Sequence, residues 1–276
     1  MKTHITLITF LLVASINAQD FQGKAIYKTH QKTAIKFGGT GAPNPELEKK
    51  MAERMKKMFQ KTFILNFNKN ESVYKEDAKL DAPRPQANGM NIVVMGSGAN
   101  DVFYKNIREN RFASKTEIMG KPFLIKDSIP KIEWELTGET KNIGTYTCYK
   151  ATYTREEESV NISTENGEIK ETKEMLTKIT TAWYTPQIPV SNGPEEFGGL
   201  PGLILEINDG KLTIVCSEIV LNPLDKIEIK EPTKGKEISQ KDFDKLQKEK
   251  SKEMMERFRS KRGDGKGNTI EIKIGG

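Results

Sequence analysis

The chain is poor in the side chains that carry most reaction chemistry. Of its 276 residues only two are histidine, two are cysteine and two are tryptophan. His4 falls within a stretch that reads as a removable leader, so the mature chain keeps His30 alone. One histidine excludes a two- or three-histidine zinc centre within a single subunit, and most His-dependent nucleophilic triads with it. No Gly-x-Ser-x-Gly elbow exists to offer His30 a serine, and a lone histidine on an early strand reads as a surface or structural residue. Charge of one sign is also missing. Lys and Arg number 44 against 38 Asp and Glu, a net charge of +6, which describes a mixed solvated surface and not a face for nucleic acid. Beyond the leader, no apolar run approaches the roughly 20 residues that cross a bilayer as a helix. With 38 acids, paired carboxylates occur by abundance and carry little information about glycoside hydrolysis. No cofactor, metal site or catalytic set is therefore expected, and the chain leans away from being an enzyme. Glu195 and Glu196 are the best-placed acids for an acid-only site.

The leader spans residues 1–18: Lys2, an apolar stretch over 5–14, and Ser15-Ile16-Asn17-Ala18 as the cleavage site before Gln19-Asp20. Its apolar stretch is too short for a membrane anchor, and no cysteine follows it to take a lipid. The mature chain is expected to be exported, to the periplasm or the medium. Cys148 and Cys216 would then meet an oxidising compartment, where three readings stay open: a disulfide, two buried free thiols, or a functional thiol pair. The 258 residues left after the leader suit one β-rich domain over 19–276.

Alternating apolar residues at 21–28 predict a first strand. Asn44-Pro45 then reads as a helix start, with Leu47, Met51, Met55 and Met58 at helical spacing over 45–61. Thioethers suit Cu(I), but neighbouring Met and Leu side chains on one helix face are ordinary packing. Strands are predicted at 63–67 and 72–74 around the turn Asn68-Lys69-Asn70, and a long loop at 79–100. Further strands follow at 102–107, 111–116, 123–125, 134–137 and 146–153. The charged stretch 155–172, with Asn166-Gly167 inside it, predicts a hairpin that protrudes. Strands at 218–221 and 226–230 precede a late helix over 239–262 with Ser239 as N-cap and Asp242 at the third position. That helix is strongly basic with a thin apolar stripe of Phe243, Leu246, Met254 and Phe258, and residues 269–274 read either as a last edge strand or as a frayed tail. The fold class is α+β, β-dominated: one curved antiparallel sheet or incomplete barrel with one or two covering helices.

The densest run is 193–207, where Pro201 and Gly202 predict a type II turn and 203–207 a buried strand. Asp209-Gly210 then predicts a two-residue type I′ hairpin that sets Ile207 opposite Leu212, Leu205 opposite Ile214 and Leu203 opposite Cys216. A phosphate cradle is excluded, because Gly198-Gly199-Leu200-Pro201-Gly202 lacks a Lys-Ser/Thr ending and leads into a strand.

The string 182–194, Ala-Trp-Tyr-Thr-Pro-Gln-Ile-Pro-Val-Ser-Asn-Gly-Pro, continues into Gly199, Leu200, Pro201, Gly202, Leu203 and Ile204. Together with Trp134-Glu135-Leu136-Thr137 and the block 141–151, it closely resembles the signature of the GLPGLI family. The resemblance implies an exported protein of Bacteroidota-type bacteria with no established activity and no catalytic residues to carry over. Such a sheet is also similar to the unclosed barrels of periplasmic lipoprotein carriers. Two readings follow: an envelope interaction or structural protein that docks a partner protein through the basic late helix, or a binding module holding an apolar ligand in a groove walled by the sheet, a helix bearing Met51 and Met55, and Trp134 and Trp183.

Overall fold

A computed structural model describes residues 21–31, 46, 60–77, 101–165, 168–261 and 272–274. The leader, the loop 79–100, the tip residues Asn166 and Gly167, and Met51 and Met55 lie outside the described residues. Of the helix expected over 45–61, only Glu46, Gln60 and Lys61 are described; Glu46 is helical and the other two lead into a strand.

Among the described residues thirteen strands form one open sheet. They are β1 (Gln22–Gln31), β2 (Thr62–Asn68), β3 (Glu71–Glu76), β4 (Val102–Asn106), β5 (Arg111–Ile118), β6 (Lys121–Ser128), β7 (Glu135–Ile143), β8 (Tyr146–Glu165), β9 (Glu168–Thr185), β10 (Leu203–Asn208), β11 (Leu212–Leu221), β12 (Lys236–Ile238) and β13 (Ile272–Ile274). Their spatial order is β12-β6-β5-β4-β3-β2-β1-β11-β10-β9-β8-β13, with β7 also paired to β8. Every pairing is antiparallel except β12 with β6. One helix, α1 (Gln240–Lys261), is described in full extent. Its start follows the expected cap: Ser239 Oγ accepts from the Asp242 N–H at 3.1 Å and donates to the Asp242 carboxylate at 2.8 Å.

The period-2 alternation of these strands gives the sheet one apolar face. Ala25, Tyr27, Leu65, Phe67, Tyr184, Leu203, Leu205, Ile207 and Ile214 on or beside it are all nearly inaccessible to solvent. Fully burying one such large apolar side chain contributes about 1.5–3 kcal/mol, so this cluster is the main source of stability. A second cluster sets Phe112, Phe123 and Ile125 under Phe243 of α1, with the Phe123 and Phe243 rings edge to face at 5.8 Å.

Three local expectations need correction. The β10–β11 register is offset: Ile207 faces Ile214 and Asn208 faces Thr213, so four residues, 209–212, make the connection. The Asp209 side chain explains this, because its Oδ1 accepts from the N–H groups of Lys211 and Leu212 at 3.0 and 2.7 Å and widens the turn. The slip is even, so the apolar face survives, but it removes the expected Leu203–Cys216 pairing; on the other edge of β11, Cys216 lies opposite Tyr27 of β1. The Pro201 turn is tighter than type II, closing from the Gly202 N–H to the Leu200 carbonyl at 2.8 Å. Finally, 226–230 is not a strand: its backbone is tethered by side chains, the Ile227 N–H to Gln22 Oε1 and the Glu228 carbonyl to Asn66 Nδ2.

Candidate functional site

Residues 186–202 connect β9 to β10, yet they reach across the apolar face to β3 and β4, four and five strands away from β10 in the sheet order. The fixing points are polar. Asn192, fully buried, accepts from Ser72 Oγ of β3 at 3.4 Å and from the Gly193 N–H at 2.8 Å. Lys105 of β4, only 2% exposed, donates from Nζ to the carbonyls of Gly193 and Phe197, both at 2.8 Å. The Trp134 indole donates to the Gly198 carbonyl at 2.8 Å, and its ring lies near Phe197 and Tyr153. Tyr27 Oη, from the opposite wall, donates to the Ile204 carbonyl at 2.7 Å. Gly202 is required by proximity, since a Cβ there would lie 2.2 Å from the Thr185 carbonyl oxygen. The hexapeptide 199–204 is thus the end of a braced plug, with Gly199 at φ 85° and Leu203 and Ile204 in the core.

Electrostatics around the plug are unusual. Burial pulls the Lys105 ammonium down to about 7, against the pull of Glu196 and Glu195. Burial together with the neighbouring Glu196 pushes the Glu195 carboxyl up to about 8. Glu195 also holds a left-handed backbone, φ 48°. Tyr74 Oη and Asn192 Nδ2 are buried without a hydrogen-bond partner in this region. Perturbed groups of this kind accompany functional sites and structural networks alike. Here the geometry is that of a brace: the lysine holds two backbone carbonyls, and the two glutamates act on it through charge alone, without a hydrogen bond.

Beside the plug, a cleft of about 970 Å³ opens between α1 and the β4–β6 floor. Phe103 and Phe112, stacked at 5.0 Å, form its base, Glu196 borders it from the plug, and Lys241, Lys245 and Lys248 border it from α1.

The third feature is a β-arm. β10 accompanies β9 only as far as Thr181, and β7 accompanies β8 only as far as Thr152. Residues 153–165 and 168–180 therefore run on as a two-stranded ribbon, roughly 40 Å long at about 3.3 Å per residue. It carries seven glutamates against four basic residues, so it is acidic where α1 is basic. Met175, Leu176 and Ile179 are nevertheless 62, 46 and 55% exposed on it. At its root Lys178 pairs with Asp209 at 3.0 Å.

The residues singled out in the sequence are not all brought together. Trp134 packs against Tyr153, whereas Trp183 lies opposite Lys150, and positions 150 and 153 point to opposite faces of β8. The two tryptophans therefore do not wall one groove; Trp183 instead lies under Lys141, whose Nζ sits 4.4 Å from the ring centre and pairs with Glu206 at 2.7 Å. Cys148 and Cys216 are free, buried thiols in the main core, both pushed up by burial, to about 11 and about 12. His30 is exposed on β1. Among the described residues no three His, Cys, Asp or Glu side chains converge to hold a metal, and no helix is long and apolar enough to cross a membrane. Lys105, Ser72, Tyr74 and Asn192 were not singled out; a lysine in a strand reads as solvent-facing, and only the apolar neighbours of Lys105 on both faces hint otherwise.

A family model described as "Protein of unknown function (Porph_ging)" matches residues 134–206, which contain Trp134, the plug and the whole β-arm. No curated protein matches the chain. Two solved structures, described as "Structure of PNGF-II" in the C2 and P21 space groups, are 15% and 16% identical to it. Each covers 82% of this chain, with TM-scores of 0.47 and 0.46, too low to establish a common fold. The chain spans about a third of their length, 32% and 33%.

Proposed function

We propose that this chain is an exported, non-catalytic docking protein of the GLPGLI type, which presents the β-arm to a protein partner in the cell envelope. The observation that carries this reading is the exposure of Met175, Leu176 and Ile179 on a ribbon that leaves the body of the sheet. Apart from β13 beside 160–162 the arm is two strands wide, a size only marginally stable in water, and large apolar side chains on it are better accounted for by a surface that covers them. The braced plug fits the same reading, because it rigidifies the root from which the arm departs. The test is site-specific photo-crosslinking in the producing cell, with the probe at Leu176 on the arm or at Met119, an equally exposed body residue. A discrete adduct from position 176 and none from 119 is expected; equal or absent adducts overturn the reading.

The stacked Phe103 and Phe112 at the floor of the cleft favour a second reading, an apolar ligand held between α1 and the sheet. Solvent extraction of natively purified protein followed by mass spectrometry tests it, and a chain that yields no ligand and ignores fatty-acid probes overturns it.

A further inference from the structure

The two edges of the β-arm are treated differently. The outer edge of β8 is covered by the chain's own β13, with Ile272, Lys273 and Ile274 paired to Ile162, Asn161 and Val160. The outer edge of β9 over 168–180 has no partner among the described strands, since β10 stops opposite Thr181. An open edge is a template for another strand. Its sequence, Ile169-Lys170-Glu171-Thr172-Lys173-Glu174-Met175, has a particular symmetry: reversed about Thr172, each lysine falls on a glutamate and the isoleucine falls on the methionine.

From this we infer that two copies of the chain join along the free edge of β9, antiparallel, about a two-fold axis at Thr172. The inference rests on the docking role of the arm and names its partner as a second copy. In that register Lys170 stands opposite Glu174 of the partner subunit and Glu171 opposite the partner's Lys173, each twice by symmetry. Ile169 stands opposite the partner's Met175. Opposite charges and apolar pairs directly across a ladder stabilise it, and like charges weaken it.

The neighbouring registers are disfavoured. Centring on Glu171 or Lys173 sets that residue against its own copy, and the two half-step registers set Lys170 against the partner's Lys173 or Glu171 against the partner's Glu174. Length agrees with charge. The register sets Glu168, where β9 begins, opposite the partner's Leu176, short of Thr181 where β10 would block it. Two ribbons, each flanked by its own β13 over 160–162, become one sheet six strands wide at its centre, well past the two-stranded size at which a hairpin is only marginally stable. The interface is isologous, so it closes at a dimer.

The test uses the mature full chain at high micromolar concentration, sized by light scattering. The wild type is expected to be a dimer, and Lys173→Glu and Glu171→Lys, each alone, to dissociate at least roughly tenfold more readily. Mixing the two variants restores every opposite-charge pair and should return the dimer as a mixed species. Independently, Thr172→Cys should form a disulfide between subunits under mild oxidation, because its own copy is the residue opposite. A monomeric wild type overturns the inference, and a retained adduct from position 176 with a different protein would then leave the docking role standing. A dimer that ignores both charge reversals and gives no Thr172→Cys crosslink also overturns it, since the contact would lie elsewhere.

Discussion

The half of the β8–β9 hairpin that lies beside β7 and β10 and the half that runs beyond them are the same two strands in unbroken register. Their surroundings differ. In the inner half Cys148, Ala151, Ala182, Tyr184 and Thr185 are buried, and the plug leaves from its end to be held by Lys105 and Ser72. In the outer half the described side chains are largely exposed, and their polar contacts are ion pairs such as Lys173 with Glu158 at 3.2 Å. Exposed pairs of that kind contribute little, typically under 1 kcal/mol each. One hairpin thus joins a part stabilised by its own burial to a part whose apolar residues await cover. Substitutions at the two ends must therefore act on different observables.

The largest effect belongs to the brace. Lys105→Ala removes both donors from the Gly193 and Phe197 carbonyls and leaves a void under the plug. Unsatisfied buried carbonyls and lost packing together should cost about 3–5 kcal/mol, read as a lower midpoint of chemical denaturation. Lys105→Met, which restores volume without donors, should recover part of that loss. A midpoint unchanged in Lys105→Ala would remove the brace from the account of the plug.

A smaller effect is the pH profile around neutrality. Glu195 is raised from 4.5 to about 8, so the folded chain holds a proton that the unfolded chain releases over that window, and stability falls as pH rises through it. Lys105 is lowered from 10.5 to about 7, so above pH 7 the unfolded chain binds more protons and stability rises with pH. The two windows overlap only between about 7 and 8; below that the falling slope acts alone and above it the rising one, so stability passes through a minimum near pH 7–8. Glu195→Gln should abolish the falling limb and Lys105→Met the rising one. Denaturation midpoints from pH 4.5 to 10 read both, and a Glu195→Gln profile parallel to wild type would break the assignment.

Legibility in the sequence follows the same division. Alternation over 62–68, 71–76, 102–106 and 111–118 placed strands close to their true bounds, because these strands bury one face against a shared core. The protruding hairpin was legible from charge alone. What escaped depends on side chains that act at a distance. Lys105 finds its carbonyls 88 and 92 residues away, and no local pattern contains them. Asp209 resets a register through two backbone N–H groups, overriding the turn its neighbour Gly210 favours. The alternating 226–230 looks like a strand, but its backbone bonds to the Gln22 and Asn66 side chains, so alternation there marks a lane along the sheet surface and not membership of it.

The smallest expected effect lies on the arm and sharpens the contrast most. Met175→Thr combined with Ile179→Thr keeps β-branched or strand-compatible side chains in the ladder while removing apolar surface that is 62 and 55% exposed. Little burial is lost, so the denaturation midpoint should change by no more than about 0.5 kcal/mol per site. The Lys178 to Asp209 pair at the root is untouched, so the arm should keep its register with β8. Docking, in contrast, loses the side chains meant to be covered, and the adduct from position 176 and the dimer should both weaken. A loss of several kcal/mol with docking unchanged would mean the opposite arrangement. The outer half would then already be packed in the free chain, and the hairpin would be one material from root to tip.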